Sequence, residues 1–138
     1  MIHLIKLAVG IRDIAHLDAV QLARSQTRGE ASFRRAFTRH RPVRPDVVDG
    51  SLYWVIKGLI RCRQRLLGFD AELDEEGRRY CLFRLDAEIV PVVPTERGPF
   101  QGWRYLEPGA APPDLAKGAD GEPPPDEMLR ELRSLGLI

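Results

Sequence analysis

The amino-acid sequence predicts an α+β fold with a curved or barrel-like, mainly antiparallel sheet, an N-terminal helix and a C-terminal helix. Three observations lead to this prediction. Several central segments alternate apolar and polar residues with the period of two that is typical of strands. An apolar stripe with helical spacing lies near each end of the chain. A Pro- and Gly-rich stretch precedes the second stripe, so residues 1–106 are predicted as one domain, 107–125 as a linker and 126–135 as the C-terminal helix.

Composition places the chain among ordinary soluble globular proteins. It has 138 residues, of which 43% are hydrophobic and 30% charged, and this length suits one domain. The only cysteines, Cys62 and Cys81, lie in unlike contexts and form neither a zinc-binding spacing nor a disulfide framework. The apolar N-terminus is short and interrupted by charge, and no run approaches the ~20 apolar residues of a membrane span. We therefore expect a cytoplasmic protein without a membrane partner.

The N-terminal part predicts a strand followed by a helix. Residues 2–9 are too few and too β-branched to favour a helix, and Gly10 ends the strand. Asp13 is the predicted N-cap, because its carboxylate can accept hydrogen bonds from the free amides of a first helical turn. An approximate apolar stripe extends the helix to about residue 25: Ile14, Leu17, Val20 and Leu22.

The segment 28–44 is compatible with either a helix or a strand. Phe33 and Phe37 are four residues apart, which suits a helix, but together with Arg35 they also share one face of a strand. Two prolines follow and prevent regular structure from continuing. Residues 45–49 are predicted to form one helical turn.

Two strands are predicted around a turn at Gly58. In the first, residues 52–57, one face carries Leu52, Trp54 and Ile56. The second segment, 59–69, has an apolar helical arc that Arg63 interrupts, so a strand is preferred over a helix. As a strand it places three arginines on one face and three apolar residues on the other: Arg61, Arg63 and Arg65 against Ile60, Cys62 and Leu66.

The rest of the predicted sheet follows a turn at residues 74–77. Residues 79–85 alternate as a strand with Cys81, Phe83 and Leu85 on one face. A short strand at 89–93 contains Pro91, which places it at an edge or after a bulge. The apolar stripe of the C-terminal helix consists of Met128, Leu129, Leu132 and Leu135.

The charges are divided unevenly along the chain. Residues 24–65 hold eleven Lys and Arg and three Asp and Glu, a balance of +8, while the remainder has ten basic and seventeen acidic residues, a balance of −7. Basic clustering is the electrostatic footprint of a nucleic-acid or phosphate binder. It is equally compatible with a solvated arginine-rich face that pairs with the acidic remainder.

No catalytic motif is present. The sequence has no glycine-rich phosphate loop and no nucleophile elbow, and its three histidines have no second ligand at metal-binding spacing, so neither a metal nor a cofactor is predicted. Aromatic and basic residues remain. Trp54 is predicted in the core with Leu52 and Ile56, whereas Trp103 is surrounded by polar and small residues and suits either a core or a binding role.

Three functional hypotheses follow. The first is a non-enzymatic nucleic-acid-binding module, with RNA or a nucleotide as the partner and this predicted interface: Lys57, Arg61, Arg63, Arg65, Trp103, Arg104 and Tyr105. The second is a metal-independent hydrolase of a nucleotide or modified base, with Lys57 as base or electrostatic catalyst and Asp49 as a nearby acid. The third is a protein-interaction or structural module that docks on a partner or a second copy through the C-terminal helix.

Several sequence blocks resemble the small bacterial proteins grouped as domain-of-unknown-function family 1489. The resemblance runs in order from HLIKLAVG at residues 3–10, through SLYWVIKG, IRCRQRLL and FQGWRYL, to APPDL at 111–115. It implies membership but no activity. The order of elements is also similar to that of the PUA-like barrels, which include RNA-binding modules, modified-base readers and a few small hydrolases. This second likeness is an architectural analogy, since a fold does not determine a function.

Overall fold

The computed structural model describes residues 1–27 and 33–115. Its strands are β1 (His3–Leu7), β2 (Phe33–Thr38), β3 (Ser51–Ile56), β4 (Leu59–Leu73), β5 (Arg79–Asp86), β6 (Val90–Glu96) and β7 (Trp103–Leu106). The helix α1 spans Ile14–Thr27, and 3₁₀ turns occur at Pro45–Asp49 and Pro108–Ala110. The predicted C-terminal helix lies outside the described residues, as does the second half of the predicted linker. No helix within the described ranges is long and apolar enough to cross a membrane.

The strands form one mixed, mostly antiparallel sheet. Their order is β2-β5-β4-β3-β1-β7, and β6 pairs with β4 beside this path. Only the pairing of β1 with β3 is parallel among the described strands. The α+β class and the mainly antiparallel sheet are thus confirmed. The sheet is open, because its end strands β2 and β7 do not pair with each other in the described part of the chain.

The N-terminal elements form where the sequence predicts them. The backbone N–H of His16 donates to the Asp13 carboxylate at 2.7 Å, so Asp13 caps α1 as expected. Leu17 on α1 is buried in the core beneath it. Segment 28–44, for which the sequence is compatible with either a helix or a strand, contains β2. The helical turn predicted at residues 45–49 is the 3₁₀ turn at Pro45–Asp49.

The sheet has a core on each side. The helix face, defined by Leu4, Leu52, Trp54 and Ile56, packs under α1 and continues onto Phe83 and Leu85 of β5. The far face, defined by Ile5, Tyr53 and Val55, packs against Val92 of β6 and Leu106 of β7. The predicted apolar faces of β3 and β5 are therefore confirmed.

A bulge in β4 changes the predicted alternation. Trp54 lies opposite Cys62 and Val55 lies opposite Ile60, so Arg61 has no counterpart on β3. The extra residue turns Ile60 to the far face while Cys62 stays on the helix face. The prediction that β4 is a strand is confirmed. The prediction that Ile60 shares a face with Cys62 and Leu66 is wrong, because strict alternation does not survive a bulge.

The chain after β7 returns to the sheet. Asp114 forms a bridge with Val92 of β6, and the Leu115 amide donates to the Pro91 carbonyl at 2.9 Å. The described beginning of the predicted linker is therefore hydrogen-bonded to β6, which is an edge strand as its proline indicated.

Candidate anion-binding cleft

The predicted basic face of β4 is divided by the structure. Lys57 is exposed in the two-residue turn between β3 and β4, where its φ of 50° and the φ of 80° at Gly58 are both left-handed. Arg65 is exposed toward the other end of this pairing, opposite Ser51. Arg61 is completely buried at the bulge. The three arginines therefore do not form one open surface.

Arg63 is engaged within the protein. Its guanidinium donates to both carboxylate oxygens of Asp114 at 2.8 Å, and also to the Ser51 hydroxyl at 3.2 Å. The bidentate contact lowers the pKa of the Asp114 carboxyl. Beside it, buried His3 accepts the Ser51 amide at Nδ1 and lies edge-on to Tyr53. Arg63 thus ties the chain after β7 to the far face.

The aromatic residues of β7 lie on the other face of the sheet. The Trp103 indole N–H donates to the His40 carbonyl at 2.6 Å, and the Tyr105 hydroxyl accepts the Val43 amide at 3.0 Å. Both rings pack on the helix-face core, whereas Arg63 lies opposite Tyr53 of the far face. Arg104 folds back to donate to the Gln101 carbonyl of the preceding loop and to the carbonyl of Trp103. The structure does not bring Trp103 or Tyr105 beside Arg63.

The residues of the hydrolase hypothesis are separated as well. Asp49 precedes β3 and Lys57 follows it, and both are exposed. β3 alone spans roughly 17 Å at about 3.3 Å per residue. Within residues 1–27 and 33–115, no group of three His, Cys, Asp or Glu side chains is placed to hold a metal ion.

A different group of residues surrounds a cavity between β1, α1 and β2. Its volume is about 180 Å³, and Leu17 and Val20 of α1 contribute to its apolar wall. Three basic residues from three separate elements also line it: Lys6, Arg24 and Arg35. No carboxylate occurs among the described lining residues. We call this cavity the Lys6 cleft.

Lys6 lies between two tryptophans. It is directly opposite Trp54 on β3 and Trp103 on β7, so all three side chains are on the helix face. Its ammonium nitrogen is 6.0 Å from the centre of the Trp54 ring. Partial burial lowers the pKa of the Lys6 amine, since the charged form loses hydration.

Trp54 is held by a buried amide network. Gln64 accepts the Trp54 indole N–H at 2.8 Å. Gln64 and Gln21 also exchange a reciprocal pair of hydrogen bonds, each 2.8 Å long. Gln21 and Trp54 both line the cleft, and Trp54 is only 6% exposed. The cleft therefore has a hydrogen-bonded floor formed by Trp54 and Gln21.

One feature of the sequence indicates this cleft, although it belongs to no known motif. Ile2, Leu4 and Ala8 of the first strand are buried on the same face, and Lys6 occupies the position between them. A lysine in register with core residues is unusual, because lysine is rarely placed among buried apolar side chains.

The family assignment follows from comparison with known proteins. The chain belongs to the family described as Protein of unknown function (DUF1489). The match covers residues 4–138, which confirms the resemblance found in the sequence blocks and extends it past Leu115. No curated protein and no solved structure matches the chain. The architectural likeness to PUA-like barrels is not confirmed.

Proposed function

We propose that this DUF1489 protein is a non-enzymatic module that binds single-stranded RNA at the Lys6 cleft. The observation that carries the proposal is the cavity lining: Lys6, Arg24 and Arg35 converge there, and no described lining residue is acidic. Arginine holds phosphate through bidentate charge-assisted hydrogen bonds. Arg24 and Arg35 are therefore assigned to phosphate groups, and Lys6 to a further hydrogen bond inside the cleft.

Several arginines of the basic segment are paired with carboxylates within the chain. Arg39 contacts Asp74 at 3.0 Å, Arg44 contacts Asp46 at 2.9 Å, and Arg34 reaches Asp18 at 3.5 Å. These partners offset the local excess of positive charge. The cleft lining includes cations from α1, β1 and β2.

An aromatic ring at the cleft supports stacking of a base. Phe37 lines the cavity, is 38% exposed and lies 5.9 Å from the Tyr80 ring centre. Base–aromatic stacking contributes about 1–3 kcal/mol per base and tolerates different sequences. Phe37 is thus assigned the stacking role that the sequence analysis predicts for Trp103 or Tyr105. Trp54 is too buried for this contact.

A PUA-like architecture and a cytoplasmic location are part of the same proposal. A sheet with one helix packed on it is compatible with a PUA-like module, a class that includes RNA-binding domains. Cys62 and Cys81 are both buried and are not joined in a disulfide. That arrangement suits the reducing cytoplasm, where RNA is available.

Fluorescence anisotropy with labelled single-stranded RNA tests the function and its location together. We expect the Arg24→Gln/Arg35→Gln variant to bind RNA at least about tenfold more weakly than the wild type. The slope of log K against log salt concentration should become less steep by about 1.4, because two phosphate contacts are lost. The matched control is Lys57→Gln/Arg65→Gln, which removes equal charge from the exposed β3–β4 hairpin and should retain binding.

The two variants separate the possible results. Loss of binding in the control alone returns the site to the hairpin that the sequence indicated. Absence of binding to wild-type protein at low salt rejects an RNA-binding function. Circular dichroism of each variant shows whether the fold is retained.

A further inference from the structure

We propose that the Lys6 amine is a nucleophile that forms an imine with small aldehydes or ketones carrying a phosphate or carboxylate group. This role goes beyond RNA binding and does not depend on it. It rests on the position of one amine inside a cavity whose other cations can hold an anionic group on the same molecule.

The surroundings of Lys6 suit a reactive amine. Its side chain enters the cleft from the helix face, between Trp54 and Trp103, and the apolar residues Leu17 and Val20 line the same space. Partial burial lowers the pKa of this amine and so increases its neutral, nucleophilic fraction at a given pH.

Two arginines of the cleft lining, Arg24 and Arg35, define the class of ligand. A guanidinium binds phosphate or carboxylate in planar, bidentate geometry. An aldehyde or ketone bearing such a group would therefore be held by Arg24 or Arg35 while its carbonyl carbon lies near Lys6. The volume of about 180 Å³ is below the ~300–1,000 Å³ of sites for drug-sized ligands, so the proposal is restricted to small carbonyl compounds.

Residue usage in this chain makes a lysine at this position notable. The sequence contains three lysines, Lys6, Lys57 and Lys117, against eighteen arginines. Arginine supplies the ion pairs described above, such as those of Arg39 and Arg63. Of these two types of side chain, only the lysine amine can lose its proton and attack a carbonyl, because arginine stays protonated.

The reaction is a condensation that needs no oxidant or reductant. The lone pair of the neutral amine attacks the carbonyl carbon, and the carbonyl oxygen takes up a proton as the nitrogen loses one. The resulting carbinolamine expels its hydroxyl group with a proton as water, and a carbon–nitrogen double bond forms. Hydrolysis by the reverse path releases the free amine.

Reductive trapping tests the proposal on the full-length protein. Pyridoxal 5′-phosphate is the phosphate-bearing aldehyde, and pyridoxal without the phosphate is its control. Borohydride fixes any imine as a secondary amine, which peptide mass spectrometry locates. We expect Lys6 to be labelled roughly tenfold faster than exposed Lys57 in the same sample with the phosphate-bearing aldehyde, and to lose most of that preference with pyridoxal.

Two variants complete the test. Lys6→Arg keeps the positive charge and should abolish the fast labelling, whereas Lys57→Arg should leave it unchanged. Arg35→Gln should slow labelling by the phosphate-bearing aldehyde without slowing labelling by pyridoxal. Equal labelling of Lys6 and Lys57 in the wild-type protein overturns the proposal, and this comparison requires no variant to fold. Absence of RNA binding has no bearing on it.

Discussion

Replacing Gln64 by leucine tests how the floor of the Lys6 cleft is held. The Gln64 side chain is completely buried and makes four hydrogen bonds: two with Gln21, one with the Trp54 indole and one with the Asp86 carbonyl. Leucine approximately preserves the volume but makes none of these bonds. The four groups that bond to Gln64 then lose this hydrogen-bond partner.

The magnitude follows from counting these partner groups. A buried polar group that loses its partner costs about 1 kcal/mol at the low end. Gln64→Leu should therefore lower the free energy of unfolding by about 4 kcal/mol. Gln21→Leu breaks the two shared bonds but leaves Gln64 bonded to Trp54 and Asp86, so it should cost only about 1 kcal/mol. The double variant leaves only the Trp54 and Asp86 groups unsatisfied, so it should lose about 2 kcal/mol. The second substitution is thus expected to restore stability in the background of the first.

Urea denaturation followed by tryptophan fluorescence and circular dichroism measures all three values. A loss of about 4 kcal/mol is a large part of the 5–15 kcal/mol that is typical of a domain, so the midpoint should shift clearly. The reasoning is refuted if the two losses simply add in the double variant, because the reciprocal amide pair would then not couple the two positions.

Three further predictions concern the packing around β3. Gly50→Ala should destabilise the protein by about 3 kcal/mol in urea denaturation, because the added Cβ would overlap the Ile2 carbonyl oxygen. Burial lowers the pKa of His3 from 6.5 in the folded protein, so the unfolded chain takes up a proton at His3 at a higher pH than the folded protein does. Stability, measured by thermal denaturation, should therefore fall as the pH drops below 6.5. Asp114→Asn should cost about 0.5–1 kcal/mol in urea denaturation by weakening its half-exposed ion pair with Arg63, and wild-type stability should fall toward low pH as the Asp114 carboxylate, whose pKa is lowered from 3.8, is protonated.

Each of these predictions has a matched control. Gly98 has open space where a Cβ would lie, so Gly98→Ala should leave stability within about 0.5 kcal/mol, and an equal effect at Gly50 would contradict the clash. His3→Asn offers an oxygen to the Ser51 amide and should flatten the acid slope assigned to His3. High salt should shrink the Asp114→Asn effect, and an effect that salt leaves unchanged would argue against an ion pair.

Much of the fold could be predicted because local physics determines it. The Asp13 cap, the apolar face of β3 and the glycine-containing turns depend on neighbouring residues in the sequence. The segment 28–44 could not be decided locally, because a spacing of four between Phe33 and Phe37 also fits alternation. Tertiary pairing of β2 with β5 resolves residues 33–38 as a strand.

The predicted arginine face of β4 is divided for a reason that the sequence pattern does not contain. Alternation assigned Arg61, Arg63 and Arg65 to one face, but a bulge inserts a residue without changing the composition of a strand. The bulge leaves Arg61 buried, and the chain after β7 brings Asp114 to Arg63. Both effects depend on partners far away in the sequence, which a count of apolar and polar positions cannot supply.

The Lys6 cleft arises from the same long-range pairing. β1 lies between β3 and β7, which places Lys6 opposite Trp54 and Trp103 although the two tryptophans are far from it in the chain. α1 then contributes Arg24, and β2 contributes Arg35 from the opposite end of the sheet. The lining of the Lys6 cleft is therefore assembled from elements that are far apart in the sequence. A substitution that disturbs β2 should therefore impair both RNA binding and the labelling of Lys6 by pyridoxal 5′-phosphate. A substitution in the β3–β4 hairpin should impair neither.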